Sequence, residues 1–286
     1  MTTSIAFGGI VDLEKFDDGS YDAKVHPGGG VHRAYGGSVL ANVIAALSDN
    51  VGHGRGLHSL HMYFLRPVHT EVPLHLTPRV LRDGANYSAR QIDGSQTTER
   101  GDKQVLTAIA SFKDATPGEY ERQADMPDVP SASTPESGFE HDRHATHSVF
   151  PQTLEFRNIA PERGKGTGEL TRQSWIRLRQ PLGDAPGAPE SGLAYISDLT
   201  LTPTARLRFK GGEAPPMVIA SIDHAMWFHK PWDGQGWVLY DQRSRSERDG
   251  RTWARGDLWA QDGTLLASVA QEALFVLSPA GATTYA

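Results

Sequence analysis

The pattern of apolar and polar residues predicts one long helix early in the chain. In YGGSVLANVIAALSDNV at 35–51, apolar residues recur every three or four positions, at Leu40, Val43, Ile44 and Leu47. This spacing places an apolar stripe on one side of a helix. Gly36 and Gly37 open the segment, so another backbone or a ligand can approach its first turn closely.

Segments rich in Val, Ile, Tyr, Phe and Thr, separated by Gly, Pro and Asp, predict strands. They are HSLHMYFLRPV, LHLTPRVL, NYSARQI and QVLTAIASF, and later MVIASIDHAMWFHKP, WVLYDQRSRS, TWARGDLWA and TLLASVAQEALFVL. QDGT at 261–264 predicts a tight hairpin between the last two of these segments. One helix among several long strands predicts an α+β unit with an antiparallel sheet.

The chain also repeats itself. RDGANYSAR at 82–90 returns as RDGRTWAR at 248–255, HMYFLRP at 61–67 as AMWFHKP at 225–231, and LTAIAS at 106–111 as LASVAQ at 266–271. The pairs keep their order at offsets of about 160 to 166 residues, which indicates duplication of a structural unit. We therefore predict two related domains side by side.

Stretches rich in Pro, Ser and acidic residues mark the boundaries. One lies at 115–140, and we predict a first domain at 1–118, a linker at 119–140 and a second domain at 141–286. Another, RQPLGDAPGAPESG, lies at 179–192. By position the second helix should follow it, within LAYISDLTLTPTARL, although Pro203 and the threonines disfavour a helix there.

Composition narrows the classes of function. The chain has 286 residues, a formal charge of −6 and no cysteine. The charge argues against a nucleic-acid partner, and the lack of cysteine excludes disulfides and thiol catalysis and suits a reducing cytoplasm. No apolar run approaches the ~20 residues of a membrane span, and the first residues do not resemble a secretory signal. We expect a cytoplasmic protein without a membrane span.

Candidate site residues are sought where the two repeats differ. Gln271 is the polar member of a strand face that it shares with Val269, Ala273 and Phe275, and the repeat pairs it with Ser111. A buried amide without a hydrogen bond costs ~1–3 kcal/mol, so Gln271 either satisfies a backbone group or serves a site. The repeat likewise pairs Ser221 with Leu57.

Asp223 and Asp198 are two acidic residues that could belong to the same site. Strand alternation places Ser221 and Asp223 on one face and His224 on the other, and both Ser and Asp are also common at solvated strand positions. Asp198 follows Ser197 at the predicted start of the second helix, where either residue could be the N-cap. Asp198 could instead accept a proton from water at the mouth of a site.

Several catalytic motifs are absent. The sequence contains no GxSxG, no HExxH and no Walker loop, so a nucleophile elbow, a zincin site and a P-loop are unsupported. HPGGG at 26–30 and GKGTG at 164–168 are typical of flexible loops. His224 and His229 are five residues apart on a predicted strand, so they cannot ligate one metal.

Taken together, GGSVLA, LHSLHMYFLRP, RDGANYSAR, YISD, SIDHAMWFHKP, RDGRTWARG and SVAQEALF resemble the acyl-CoA thioesterase II family, in order over residues 30–277. The resemblance implies a double hotdog fold, with two tandem repeats that each wrap an antiparallel sheet around a central helix. It also implies an acyl-CoA substrate, hydrolysis without a cofactor or metal, and a homo-oligomer, either a dimer or a tetramer.

The resemblance implies catalytic roles for Asp198 in YISD, Ser221 in SIDH and Gln271 in SVAQEA. Many members carry Thr in place of Ser221, and the hydroxyl is retained. Asp198 would activate a water that Ser221 and Gln271 hold, and backbone N–H groups at a helix start would stabilise the oxyanion. The acyl chain would occupy an apolar tunnel between the halves.

Two other functions remain open. An enoyl-CoA hydratase with this fold would need an Asp–His pair, but the adjacent Asp223 and His224 point to opposite faces of a regular strand. A non-catalytic acyl-CoA-binding protein would have a degenerate site, whereas all three polar positions are filled in this chain.

Overall fold

Strands dominate both halves of the chain. The structure is a computed structural model that describes residues 2–28, 32–51, 54–116, 118, 121–134, 150–159, 168–209 and 215–277. The first half contains β1 (Thr3–Phe7), β2 (Val11–Lys15), β3 (Tyr21–Ala23), α1 (Gly36–Val51), β4 (Arg55–Phe64), β5 (Leu74–Asp83), β6 (Tyr87–Thr98) and β7 (Gly101–Asp114). The second half contains α2 (Phe150–Thr153), β8 (Leu154–Ile159), β9 (Leu170–Leu178), α3 (Ala188–Ser197), a 3₁₀ helix (Thr202–Arg208), β10 (Met217–Ser221), β11 (Asp223–Phe228), β12 (Val238–Arg248), β13 (Arg251–Ala260) and β14 (Leu265–Leu277).

The described strands form one antiparallel sheet. Its order is β1-β2-β3-β5-β6-β7-β4-β11-β14-β13-β12-β9-β8, and β10 also pairs with β14. The predicted strands are present as β4–β7 and β10–β14, and the predicted QDGT hairpin joins β13 to β14. Strands β1–β3, β8 and β9 were not predicted, although β2 alternates between buried and exposed residues as a half-buried strand does.

The two halves meet where β4 pairs with β11. His61 lies opposite Ala225, with Met62 opposite His224 and Leu60 opposite Met226. His61 and Ala225 are equivalent positions in the sequence repeat, so each faces its own counterpart. The duplication is therefore present in the structure as a local two-fold relation between β4 and β11.

The pattern of burial corrects the register of the repeat in the last strands. Ala108 and Ala110 of β7 and Val269 and Gln271 of β14 are buried, and the residues between them are more exposed. Gln271 therefore cannot be the counterpart of Ser111 that the sequence match suggested. His61 pairs with Ile109 and its repeat counterpart Ala225 pairs with Ala270, so Gln271 corresponds to Ala110. The sequence match rests on similar residue types, whereas burial and strand pairing show which positions are structurally equivalent. At this position the second half has the amide side chain of Gln271, where the first half has the methyl group of Ala110.

The predicted helix at 35–51 is present as α1, and it is buried on all sides. Residues 37–48 are all buried, as in a helix at the centre of a core. It packs against α3 of the second half, where Ser191 Oγ donates to the Ala41 carbonyl at 3.0 Å. The contact between the two helices thus connects the two halves.

The prediction for the second helix was wrong in position. Helix α3 begins at Ala188, inside the stretch that its Pro and Gly content marked as irregular, and ends at Ser197. Gly187 precedes it with a φ of 73°, and Pro189 lies in the first turn, where a helix tolerates proline. Asp198 is consequently the C-cap of α3 and not an N-cap.

The segment between the halves is packed over part of its length. Trp175 Nε1 donates to the Pro130 carbonyl at 2.7 Å, and Ala132 lies in a small apolar cluster with Trp175 and Trp259. Part of the predicted linker therefore lies against the second half. The division at residues 118 and 140 stays a prediction.

Candidate active site

Asp198 lies where the C-terminal end of α3 meets the N-terminal end of α1. Its Oδ2 accepts the backbone N–H of Gly37 at 3.0 Å, and its Oδ1 accepts Gln271 Nε2 at 2.8 Å. The side chain is 9% exposed. Burial raises the pKa of Asp198 to about 6, although both hydrogen bonds favour the charged form. A carboxylate with this pKa is suited to accept a proton near neutral pH.

Two glycines allow this close approach. A Cβ on Gly36 would lie 2.7 Å from Asp198 Oδ2, and a Cβ on Gly37 would lie 2.5 Å from the Tyr195 carbonyl oxygen. Both distances are shorter than side chains tolerate, so the sequence opens α1 with glycines at the point where α3 ends. This close contact brings α1 of the first half and α3 of the second half together at the site.

Gln271 joins Asp198 to Ser221. Its Nε2 donates to Asp198 Oδ1 and to Ser221 Oγ, both at 2.8 Å. These bonds engage both hydrogens of the amide nitrogen, while Ser221 keeps its own hydroxyl hydrogen as a donor. Gln271 is 1% exposed, and its Oε1 has no hydrogen-bond partner among the described residues. The structure thus brings together the three side chains selected from the sequence.

The strand is interrupted between β10 and β11, so its side chains do not alternate between the two faces as a regular strand predicts. Ser221 pairs with Ala273 and Ala225 pairs with Ala270, so Ile222 lies at an irregularity between the two strands. Ser221 and His224 therefore both reach the Asp198 side of the sheet, and the prediction that they face opposite ways was wrong. Strand β4 has its own irregularity between Leu57 and Ser59, at the equivalent point of the repeat.

His224 is the part of this site that the sequence reasoning missed. The side chain is fully buried, with Nδ1 3.8 Å from Asp198 Oδ1 and Nε2 2.8 Å from Ser197 Oγ. Burial lowers the pKa of His224 to about 3, against the opposing effect of the nearby Gln271 side chain. The imidazole is therefore neutral at physiological pH. The sequence did carry a signal, because the repeat pairs His224 with the apolar Leu60. The signal was overlooked because the strand was assumed to be regular.

Side chains satisfy the carbonyl groups at the end of α3. Ser197 Oγ donates to the Ala194 carbonyl at 2.9 Å, Tyr35 Oη to Tyr195 O at 2.6 Å, and Tyr240 Oη to Ser197 O at 2.5 Å. The last carbonyls of a helix lack intrahelical donors. These bonds fix the position of the helix end that carries Asp198.

The other polar candidates have structural partners. Asp223 Oδ1 accepts the backbone N–H of Glu272 at 2.6 Å, and His58 Nε2 lies 2.8 Å from Ser111 Oγ. In the part of the chain that the structure describes, no group of three or more His, Asp or Glu side chains could hold a metal ion. Of the two predicted flexible loops, residues 29–30 and 164–167 lie outside the described residues.

Comparison with known families gives the assignment. Residues 25–113 match the acyl-CoA thioesterase N-terminal domain family, and residues 121–275 match the acyl-CoA thioesterase C-terminal domain family. This chain belongs to the acyl-CoA thioesterases.

Individual relatives agree with the family. The crystal structure of the acyl-CoA thioesterase II TesB2 from Mycobacterium marinum is 30% identical, with a TM-score of 0.76 over 96% of this chain and 98% of that one. Acyl-coenzyme A thioesterase 8 of Mus musculus is 26% identical over 96% of this chain and 90% of its own length. A hot dog fold protein from Alicyclobacillus acidocaldarius, 20% identical with a TM-score of 0.71 over 93% and 96% of the two chains, shows the shared fold.

Among the described residues, no helix has the length and apolar character needed to span a membrane.

Proposed function

We propose that this protein hydrolyses acyl-CoA thioesters to free fatty acids and CoA, with Asp198 as the general base. The observation that carries the proposal is the joint contact of Gln271 Nε2 with Asp198 Oδ1 and Ser221 Oγ, both at 2.8 Å. A carboxylate, an amide and a hydroxyl in this arrangement can hold and deprotonate one water molecule. Membership in the acyl-CoA thioesterase family supports the substrate class.

The reaction needs no covalent enzyme intermediate. Asp198 accepts a proton from water as the water oxygen bonds to the thioester carbonyl carbon, and the carbonyl π electrons move to the carbonyl oxygen. The tetrahedral intermediate then collapses, the C–S bond breaks, and Asp198 returns the proton to the departing CoA sulfur. Ser221 and Gln271 orient the water through hydrogen bonds.

The oxyanion would be stabilised at the start of α1. The positive end of the helix dipole lies there, next to Asp198, whose Oδ2 accepts the backbone N–H of Gly37. We propose that this end of α1 faces the reacting carbonyl group. The acyl chain would then extend between the two halves.

We also propose that the chain forms a double hotdog. Helix α1, buried against strands of the first half, and helix α3, packed against α1, support a double hotdog with one central helix in each repeat. A homo-oligomer, dimeric or tetrameric, and a cytoplasmic location remain predictions from the sequence.

Hydration of an enoyl-CoA is the second candidate function. An Asp–His pair does exist in the structure, formed by His224 Nδ1 and Asp198 Oδ1 at 3.8 Å and not by the adjacent Asp223. Hydrolysis is favoured because Gln271 and Ser221 complete a water-binding arrangement around the same carboxylate.

Replacing Asp198 by Asn tests the proposed base. Because Asn cannot accept the proton, we expect kcat to fall by roughly 10²- to 10⁴-fold, with the fold retained by circular dichroism. Asp241→Asn is the matched control, since Asp241 is also buried with a raised pKa but pairs with Gln173 and Arg243. Comparable turnover in Asp198→Asn and Asp241→Asn would contradict the role.

A further inference from the structure

Thr200, two residues after Asp198, has a backbone conformation that is costly for its residue type. Its φ is 62°, in the left-handed region that β-branched residues rarely adopt. Of the non-glycine residues that the structure describes, Asp249 is the only other one with a positive φ, and it lies in the turn between β12 and β13. Strain of this kind persists only where the surrounding structure holds it. The groups that hold Thr200 therefore bear on the position of Asp198.

The side chain of Gln242, fully buried on β12, binds the backbone and the hydroxyl group of this turn. Gln242 Nε2 lies 3.0 Å from the carbonyl oxygen of Leu199. Because a carbonyl oxygen only accepts hydrogen bonds, Nε2 must be the amide atom that faces it, and this fixes the orientation of the amide. Thr200 Oγ1 lies 3.0 Å from both Nε2 and Oε1 of Gln242. The Thr200 hydroxyl is thus bound to Gln242 whichever hydrogen the two groups share.

Thr204, on the 3₁₀ helix, completes the same hydrogen-bonded turn. Its Oγ1 lies 3.0 Å from Gln242 Oε1 and 2.9 Å from the Thr200 carbonyl oxygen. The Thr204 N–H also donates to the Thr200 carbonyl at 3.0 Å. One buried amide of the sheet therefore binds the chain at Leu199, Thr200 and Thr204, immediately after the proposed base.

Gln242 belongs to the sheet that also carries Gln271. Gln242 lies opposite Gly256 of β13, and Gly256 lies opposite Val269 of β14, two residues before Gln271. Gln271 binds the Asp198 carboxylate directly, whereas Gln242 binds the backbone that follows Asp198. The position of the carboxylate relative to Gln271 thus depends on two amides of one sheet.

We propose that Gln242 is a positioning residue, which holds the strained turn at Leu199 and Thr200 so that the Asp198 carboxylate stays aligned with Gln271 and Ser221. Gln242 acts through Asp198 and does not touch the reacting atoms. The role rests on the proposed hydrolysis.

Replacement of Gln242 by Met removes the amide but keeps a side chain of similar length. We expect kcat to fall roughly 10- to 100-fold, because a small displacement of a catalytic group is costly, while KM changes by less than about twofold. Adding Thr200→Gly to Gln242→Met should restore part of the kcat, since glycine adopts this φ without strain. A kcat equal to that of the parent in folded Gln242→Met overturns the proposal. A loss that Thr200→Gly does not reduce also overturns it, because Gln242 would then not act through the turn.

A matched pair at Thr200 keeps the test available if Gln242→Met does not fold. Thr200→Val keeps the β-branched shape and the strain but lacks the hydroxyl that binds Gln242, whereas Thr200→Gly lacks both the hydroxyl and the strain. We expect a lower kcat in Thr200→Val than in Thr200→Gly. Equal kcat values in the two variants overturn the proposal.

The NMR signal of the Gly37 amide proton is a readout that needs no turnover, because this N–H donates to Asp198 Oδ2. In Gln242→Met we expect the signal to move to higher field as this hydrogen bond lengthens, and to return towards its parent position when Thr200→Gly is added. An unchanged Gly37 signal in folded Gln242→Met overturns the positioning role. A shifted signal in a protein that hydrolyses no acyl-CoA supports the positioning of Asp198 and contradicts the proposed function alone.

Discussion

At the scale of single residues, Asp198 is subject to opposing influences. Burial favours its neutral form, whereas the hydrogen bonds from the Gly37 N–H and the Gln271 amide favour its charged form. The balance leaves a pKa of about 6. A carboxylate that is ionised at neutral pH and yet basic enough to take a proton is suited to general base catalysis.

The hydroxyl group of Ser221 is expected to hold the attacking water. Because its hydroxyl accepts from Gln271 and keeps a hydrogen for the water, Ser221→Ala should lower kcat about tenfold, the equivalent of one hydrogen bond. Ser221→Thr retains the hydroxyl and is the matched control. Steady-state kinetics of both variants measure the effect. Equal kcat in the parent, Ser221→Ala and Ser221→Thr would show that the hydroxyl does not act in the reaction.

The polar residues of the site were predictable in part. Ser221 stood out because it replaces Leu57 of the repeat, and Gln271 because it is the polar member of an apolar strand face. Asp198 entered through resemblance to a family. His224 was not predicted, because alternation in a regular strand placed it away from Ser221. The irregularity at Ile222 turns both side chains to the same side, and the sequence carries no strong signal for such a break.

At the scale of elements, the site depends on the contact between the ends of α1 and α3. The three side-chain hydroxyls of Ser197, Tyr35 and Tyr240 hold the end of α3, and the glycines of α1 let the helices meet. The position of α3 was predicted wrongly because Pro and Gly were taken as breakers. Proline in the first turn and a left-handed glycine before it are instead compatible with a helix start.

Gly37 lies at the close contact between α1 and the end of α3. In Gly37→Ala the new Cβ would lie 2.5 Å from the Tyr195 carbonyl oxygen, so α1 must move away from α3. We expect the free energy of unfolding to fall by about 1–3 kcal/mol and kcat to fall with it, as Asp198 loses its bond to the Gly37 N–H. Gly56→Ala is the control, since nothing lies within 4 Å of its Cβ position. Denaturant unfolding and kinetics measure both effects, and a Gly37→Ala protein as stable and active as Gly56→Ala would contradict this account.

At the scale of the whole molecule, duplication explains both the fold and the position of the site. Strands β4 and β11 pair about a local two-fold relation and extend one sheet through both halves. The acidic and amide groups come from the second half, and the glycine contact comes from the first. The repeat was visible in the sequence because its turns and packing residues recur, whereas the pairing of β4 with β11 is a long-range contact that no local pattern encodes.

Release of CoA from a panel of saturated acyl-CoA thioesters of increasing chain length, followed with a thiol-reactive dye, tests directly whether the protein is a thioesterase. The chain contains no cysteine, so the dye reports only the product. We predict release with an optimum at one range of chain lengths. An enoyl-CoA in the same panel, followed by loss of its conjugated absorbance, reports hydration. No CoA release from any thioester by folded protein, or hydration of the enoyl-CoA without release, would contradict the assignment as a thioesterase.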